Sequence, residues 1–192
     1  MSEDKEIEIK VQIESSRKLI AFLNKHGRFI GKKHQLDRYF VPAHRDFLKV
    51  RPVKEWLRLR ESEGKYSLSY KNWYFDKNGR SHYCDEYETA IESLDQLEKI
   101  FKSLNLKEVV TVDKVRQTWR FKDYEVALDD IKGLGEFVEV EYKSELGKQK
   151  VDDITKGMIA FLKQVNCGKI IRNYVGYPFQ LLFPKEVKLE EQ

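Results

Sequence analysis

Charged and apolar residues alternate along several short segments of this chain, and the alternation narrows the choice of folds. In the first segment Glu6, Glu8 and Lys10 alternate with apolar residues. Because successive side chains of a strand point to opposite faces, such a segment predicts a strand with one charged and one apolar face. The other segments place these residues on charged faces: Arg58, Arg60, Lys71, Glu86, Glu88, Lys114, Arg116, Asp129, Glu139 and Glu141.

Two arrangements of these strands are open. In one, the charged faces meet water, as in many antiparallel sheets. In the other, the strands curl into a barrel whose interior is charged. Three amphipathic helices, predicted at about residues 15–26, 93–104 and 152–165, need an apolar surface to cover, and the apolar strand faces supply it. The charged positions are carboxylates in some strands and Arg or Lys in others, with few of the Ser, Thr and Gln residues of a plain solvated face. We therefore predict an α+β fold, an eight-stranded antiparallel β-barrel or tunnel with helices packed outside.

An interior with six cations and seven carboxylates would be costly to bury without ligands. We expect it to be wet and to receive a polyanion together with divalent cations. Arg and Lys would neutralise phosphate oxygens, with Arg in forked contacts. The carboxylates would hold Mg²⁺ or Mn²⁺, hard cations that take oxygen ligands and bridge phosphates.

The composition argues against several other classes of protein. The 192 residues include 36 Lys and Arg against 32 Asp and Glu, and a net charge of +4 is too small to indicate nucleic-acid binding. No apolar run approaches the roughly 18 residues of a membrane span. Residues 1–6 are acidic and lack the features of a signal peptide, and two cysteines cannot form a disulfide framework. We expect a cytoplasmic monomer or homodimer that acts on a small molecule, without a nucleic-acid or membrane partner.

The charged segments also resemble, in chain order, the motifs of a known family. They are Glu6-x-Glu8-x-Lys10, Gln35-x-Asp37-x-Tyr39-Phe40, Leu57-Arg58-x-Arg60, Tyr70-Lys71, Glu86-x-Glu88, Lys114-x-Arg116, and a closing segment from Ala127-Leu128-Asp129 to Glu139-x-Glu141. This order is similar to that of the CYTH superfamily, which contains class IV adenylyl cyclases, thiamine triphosphatases and inorganic triphosphatases. These enzymes are collectively called triphosphate tunnel metalloenzymes. The resemblance covers about residues 4–165.

The resemblance implies a role for each charged position. The metal side would be Glu6, Glu8, Asp129, Glu139 and Glu141, with Glu86 and Glu88 in support. The triphosphate would be held by Lys10, Arg58, Arg60, Lys71, Lys114 and Arg116. Catalysis would fall to Glu8, Lys10, Glu139 and Glu141. The tunnel domain would span residues 1–167, and residues 168–192 would form an extension that packs on it and has a loose end.

Three functions remain open at this point. The first is a class IV adenylyl cyclase-like lyase, in which the 3′-hydroxyl of ATP attacks the α-phosphorus and releases pyrophosphate. The alternative is a triphosphatase that hydrolyses inorganic, nucleoside or thiamine triphosphate. A further alternative is a non-catalytic binder of polyphosphate or nucleotide. The first two reactions differ in which phosphorus meets the nucleophile, and the cyclase-like branch resembles this sequence most.

Overall fold

The computed structural model describes residues 5–145 and 149–192, so residues 1–4 and 146–148 of the predicted tunnel domain lie outside it. Within the described residues there are ten β-strands and four α-helices. The strands are β1 (Lys5–Ile13), β2 (Arg28–Val41), β3 (Glu55–Ser62), β4 (Lys65–Phe75), β5 (Ser81–Ile91), β6 (Lys107–Phe121), β7 (Tyr124–Ile131), β8 (Gly135–Tyr142), β9 (Ile170–Asn173) and β10 (Glu190–Glu191). The helices are α1 (Ser16–His26), α2 (Leu94–Ser103), α3 (Val151–Gln164) and α4 (Tyr177–Leu182).

Strands β1 to β8 close into a single antiparallel barrel. Their order is β1-β5-β4-β3-β2-β6-β7-β8, and β8 pairs back onto β1 with Glu8 opposite Glu141 and Lys10 opposite Glu139. Directly opposite residues of antiparallel strands point to the same face, so all four of these charged side chains face the interior. The eight-stranded antiparallel barrel predicted from the sequence is confirmed.

The helices cover the outside of the barrel, where the apolar strand faces lie. Leu19 and Leu23 of α1 and Met158 and Leu162 of α3 are buried against a cluster that includes Ile9. On the opposite side, Phe101 of α2 packs with Phe40 and Leu59. Each fully buried side chain of this kind contributes roughly 1.5–3 kcal/mol of hydrophobic stabilisation. The apolar faces therefore point outward to the helices, and the charged faces are left to line the interior.

The C-terminal residues extend the wall of the barrel at one place. β1 pairs with β5 as far as Ile7 opposite Tyr83, and from Lys10 opposite Asn173 onward it pairs with β9 instead. Helix α4 follows β9, with the Tyr177 ring 5.3 Å from the ring of Phe137 on β8. We expected a loose end for this extension; in the structure Glu190 and Glu191 form β10, which pairs with β9.

Among the helices of residues 5–145 and 149–192, none has both the length and the apolar character that crossing a membrane requires.

Candidate active site: a charged cavity inside the barrel

The barrel interior contains a cavity of about 250 Å³ with a mostly charged wall. Twelve of the thirteen site residues predicted from the sequence line it: Glu6, Glu8, Lys10, Arg58, Arg60, Lys71, Glu86, Glu88, Lys114, Arg116, Glu139 and Glu141. The remaining wall is formed by Tyr39, Trp56, Trp73, Glu125, Lys143, Gly176, Tyr177 and Pro178. The alternation of the strands thus brings cations and carboxylates from seven strands into one space.

Carboxylates crowd together where β1 meets β8. Burial and the negative charge of Glu6 raise the pKa of Glu141 to about 7, although its carboxylate also accepts a hydrogen bond from Lys143 at 2.5 Å. Glu6 differs because, although burial alone would raise its pKa, the ammonium groups of Lys71 and Lys10 lower it to about 2. One carboxylate here has a raised pKa and the other a lowered pKa. A cation bound between them would stabilise the charged form of both.

The cations are held by these carboxylates and by aromatic rings. Lys71 Nζ lies 2.5 Å from Glu6 Oε2 and 3.1 Å from Glu86 Oε2. Arg58 Nη2 lies 3.1 Å from Glu86 Oε1. Lys10 is paired with Glu8 and lies 3.4 Å from Glu139 Oε2. Each of these cations is neutralised within the wall, and these pairs are the contacts that an incoming polyanion would replace.

Strands β2, β3, β6 and β7 form one side of the cavity. There, two buried aspartates make two-point ion pairs with two arginines of the cavity wall. Asp37 accepts from Arg60 Nε at 2.6 Å and Nη2 at 2.8 Å. Asp129 accepts from Arg116 Nε and Nη2, both at 2.6 Å. Lys114 lies between them, 3.5 Å from Asp37 Oδ2 and 3.9 Å from Asp129 Oδ2. Forked pairs fix the planes of both guanidinium groups, so that their free N–H groups keep a set direction toward the cavity.

Lys114 is the cation in this group with a lowered pKa. Burial and the positive charge of Arg116 lower its pKa to about 8, against the opposing effect of Asp129 and Asp37. Its charge therefore depends on the pH near neutrality, and an anion placed in the cavity would raise this pKa.

Asp129 occupies a different place from the other predicted residues. It is fully buried behind the cavity wall rather than in it, and its carboxylate also accepts a hydrogen bond from the Tyr177 hydroxyl at 2.9 Å. Both of its oxygens are thus engaged by Arg116 and Tyr177. This placement suits a residue that positions Arg116.

Two residues that bear on how the cations of this site are oriented, Asp37 and Tyr177, were not among the sequence candidates. The sequence contains a signal for Asp37, because it shares a strand face with Gln35 and Tyr39 in the Gln35-x-Asp37-x-Tyr39-Phe40 motif. It contains none for Tyr177, because that residue lies in a short helix in the C-terminal extension with no charge alternation around it. The ring of Tyr177 lies 5.3 Å from Lys114 Nζ and 5.8 Å from Lys10 Nζ, so it forms part of the wall that faces the cations.

The carboxylates are chemically suited to a divalent cation. In the described part of the chain no three of them converge on one point, because each turns toward a lysine or arginine. Their backbones nevertheless place Glu8 directly opposite Glu141. Like charges directly opposite each other destabilise a strand pair, and a hard cation with oxygen ligands would remove that repulsion. The residues present fit a Mg²⁺ or Mn²⁺ ion.

Comparisons with known proteins identify the family. Residues 4–169 match the CYTH domain. A protein of Methanocaldococcus jannaschii named "Putative adenylate cyclase MJ0240" is 38% identical over 165 residues, which are 85% of this chain and 91% of that protein. The closed barrel with helices outside and the family match together define a CYTH protein, and this chain belongs to that family.

Solved structures share the fold over nearly the whole chain. The PH1819 protein of Pyrococcus horikoshii is 25% identical and has a TM-score of 0.75, covering 94% of this chain and 99% of that one. HpAC1 from Hippeastrum, described as a putative adenylyl cyclase with a dominant triphosphatase activity, is 20% identical. Its TM-score is 0.64, with 94% of this chain and 95% of that one covered.

Proposed function

We propose that this protein is a cytoplasmic, divalent-metal-dependent triphosphatase that holds the triphosphate group of its substrate inside the barrel. The observation that carries the proposal is that seven cations and seven carboxylates line one cavity of about 250 Å³. Pockets for drug-sized organic ligands are typically about 300–1,000 Å³. The cavity suits a chain of phosphates better than it suits a whole nucleotide.

The aromatic residues of the wall also favour a chain of phosphates over a whole nucleotide as the group bound in this cavity. A base would need a free aromatic face on which to stack. Lys10 Nζ lies 5.2 Å and Lys71 Nζ 6.0 Å from the centre of the Trp73 ring. Trp56 is buried with its ring edge-on to Tyr39 at 5.5 Å. Lysines and core packing therefore already use these rings, which favours hydrolysis of a triphosphate over a reaction that must hold an adenosine in this cavity.

The cationic residues of the cavity and its carboxylates would have different roles in this reaction. The phosphate oxygens would be bound, and the charge that develops on the leaving group stabilised, by Arg58, Arg60, Arg116, Lys10, Lys71 and Lys114. Glu6, Glu8, Glu139 and Glu141, supported by Glu86 and Glu88, would hold Mg²⁺ or Mn²⁺. When bound, the metal supplies charge that neutralises phosphate oxygens and activates the attacking oxygen. Asp37 and Asp129 would keep two arginines in position.

Adenylyl cyclase activity is the second candidate, and the name of the 38% identical relative favours it. The same cradle would serve, with the α-phosphorus rather than the terminal phosphorus placed against the nucleophile. The ribose and base would then lie outside the cavity of about 250 Å³, beyond its mouth.

A product assay separates these functions. The purified protein is incubated with Mg²⁺ or Mn²⁺ and, in turn, with inorganic triphosphate, ATP and thiamine triphosphate. Release of orthophosphate supports the triphosphatase, whereas cyclic AMP with pyrophosphate supports the cyclase. If no substrate yields any product while triphosphate still binds, both activities are refuted and the protein is a binder.

A further inference from the structure

The wall of the barrel divides where β1 leaves β5 and joins β9. A second, small cavity of about 20 Å³ lies in this fork. It is lined by Glu8, Lys10, Trp73 and Ser81 from the barrel strands and by residues 172–176 from β9 and the segment after it. Glu8, Lys10, Trp73 and Gly176 also line the large cavity, so the two spaces share one wall. The matched CYTH domain ends at residue 169, so the side of the fork formed by residues 172–176 lies beyond it.

Two side chains of the fork are almost fully buried, and each has one polar atom without a hydrogen-bond partner among the described residues. Glu8 is 3% and Asn173 is 2% exposed. Within the described parts of the chain, Glu8 Oε2 and Asn173 Nδ2 have no hydrogen-bond partner. A buried polar atom left in this state costs about 1–3 kcal/mol, so native proteins almost always supply a partner.

The orientation of the Asn173 amide follows from its other contacts. Asn173 Oδ1 accepts from the Val175 amide at 3.3 Å and from Gln180 Nε2 at 3.5 Å. Reversing the amide would turn its NH₂ group toward these two donors, which is unfavourable. The NH₂ group is therefore the part of the amide that remains available to donate a hydrogen bond in the fork. On the other side, Glu8 Oε1 is engaged by Lys10, which leaves Oε2 as the available acceptor.

Glu8 Oε2 and Asn173 Nδ2 together define which chemical group could bind between them. It has to accept a hydrogen bond from Asn173 and donate one to Glu8. The Glu8 carboxylate disfavours an anion, and the NH₂ group with the neighbouring Lys10 disfavours a cation. A cavity needs about 10–15 Å³ to hold one water molecule with two to four polar partners. The fork, at about 20 Å³, has that size, and the Ser81 hydroxyl on its wall can accept the second proton of a water.

We propose that one water molecule is bound in the fork between Asn173 and Glu8, and that Asn173 acts through this water to position the Glu8 carboxylate that faces the large cavity. The second half of the proposal rests on the proposed function, in which Glu8 holds the metal. Asn173 is then a positioning residue contributed by the C-terminal extension. Partners that orient metal ligands typically change metal affinity or activity by about 10- to 100-fold when they are removed.

The water site is tested by NMR on the full-length, ¹⁵N-labelled protein. The side-chain amide signal of Asn173 is assigned by its loss in Asn173→Asp. We expect a cross peak between these amide protons and a long-lived water, and no such peak for the exposed Asn105. Absence of the peak from an assigned Asn173 signal would overturn the water site. This measurement needs neither metal nor activity.

The positioning role is tested by adding Mg²⁺ to the same sample. The Asn173 side-chain signal should shift with the same midpoint as the backbone amides of Glu8 and Glu141, while the Asn105 signal stays in place. If the backbone signals shift and the Asn173 signal does not, the positioning role is refuted. If none of them shifts and no triphosphate is cleaved, it is the proposed function that fails, and the positioning role falls with it.

Variants give a second readout of the positioning role. Mn²⁺ binding without substrate, followed by the electron paramagnetic resonance of free Mn²⁺, should weaken about tenfold or more in Asn173→Ala. Asn173→Ser, which keeps a donor, should recover part of this affinity, and Asn105→Ala should match the wild type. A folded Asn173→Ala variant with unchanged Mn²⁺ affinity would contradict the role; if this variant does not fold, the Mg²⁺ titration of the wild type decides.

Discussion

Asp37 holds Arg60 through a two-point ion pair, with Arg60 Nε and Nη2 at 2.6 and 2.8 Å from the two carboxylate oxygens. Asp37 is 1% exposed, and Lys114 makes a third contact with it. Asp129 repeats the arrangement with Arg116. The cations that face the cavity are thus directed by carboxylates behind the wall, in addition to those within it.

We expect Asp37→Asn to weaken both stability and triphosphate binding. The two-point ion pair with Arg60 is lost, so the charge of Arg60 has no buried partner, and Lys114 keeps only Asp129. Removing one member of a buried ion pair costs about 3–5 kcal/mol of unfolding free energy. Equilibrium denaturation measures this loss, and calorimetry with inorganic triphosphate in EDTA measures the affinity, which should fall about tenfold or more. In the matched control, Asp113→Asn, the lost pair with His34 is exposed, so both quantities should stay near wild type. An equally mild effect of Asp37→Asn would show that Arg60 needs no support.

The sequence predicted the barrel and twelve of the cavity residues because strand alternation fixes which face each side chain takes. It placed Asp129 on the metal side, although the structure puts that residue behind Arg116. Alternation assigns Asp129 and Arg116 to the same face, but only packing decides which of the two reaches the open space. The roles of Tyr177 and Asn173 could not be predicted from the sequence, for a different reason. Their positions depend on β9 joining β1, a pairing between residues 157 to 163 positions apart that no local pattern signals.

The affinity for triphosphate should fall as the pH rises through about 8. Burial and Arg116 lower the pKa of Lys114 to about 8, so this lysine loses its charge above that pH. Bound triphosphate raises the pKa, so the dissociation constant should increase by at most tenfold per pH unit above 8. Calorimetry in EDTA between pH 7 and 9.5 measures this dependence.

The Lys114→Gln variant isolates the lysine from the titration of triphosphate itself. Its affinity should be lower than wild type at pH 7, and the difference between the two proteins should narrow as the pH rises. Lys71→Gln is the matched control. Although burial lowers the pKa of Lys71, Glu6 and Glu86 raise it above its usual range, so Lys71 stays charged throughout. A constant difference between wild type and Lys114→Gln across this range would mean that Lys114 keeps its charge.

Glu8→Gln should abolish turnover and leave the fold intact. The change keeps the size of the side chain but removes the charge that faces the cavity opposite Glu141. We expect at least a hundredfold loss of kcat at saturating Mn²⁺. The melting temperature should stay within a few degrees of wild type, because Lys10 keeps Glu139 as a partner and the repulsion between Glu8 and Glu141 is removed. In the control, Glu108→Gln, the altered residue pairs with Arg38 on the outside of the barrel and activity should not change. Activity that survives Glu8→Gln at saturating metal would remove Glu8 from the metal site.

Tyr177 links the C-terminal extension to the cavity, and two substitutions separate its hydroxyl from its ring. Tyr177→Phe removes only the hydrogen bond to Asp129, which is worth about 0.5–1.5 kcal/mol when both partners are neutral and about 1.5–3 kcal/mol when one is charged. Arg116 should then be less well oriented, so KM for triphosphate should rise severalfold while kcat changes little. Tyr177→Ala also removes the ring beside Lys10 and Lys114 and should cost about 3–5 kcal/mol of stability.

The matched control for the hydroxyl is Tyr74→Phe, which removes a hydrogen bond to Asp85 at an exposed position outside both cavities. Its KM for triphosphate should equal that of the wild type. Steady-state kinetics with inorganic triphosphate, together with thermal unfolding, distinguish the three variants. Because Asp129 lies between Tyr177 and Arg116, combining Tyr177→Phe with Asp129→Asn should raise KM no further than Asp129→Asn alone. If the two effects on KM simply multiply, the hydroxyl acts on the cavity by a route other than Asp129.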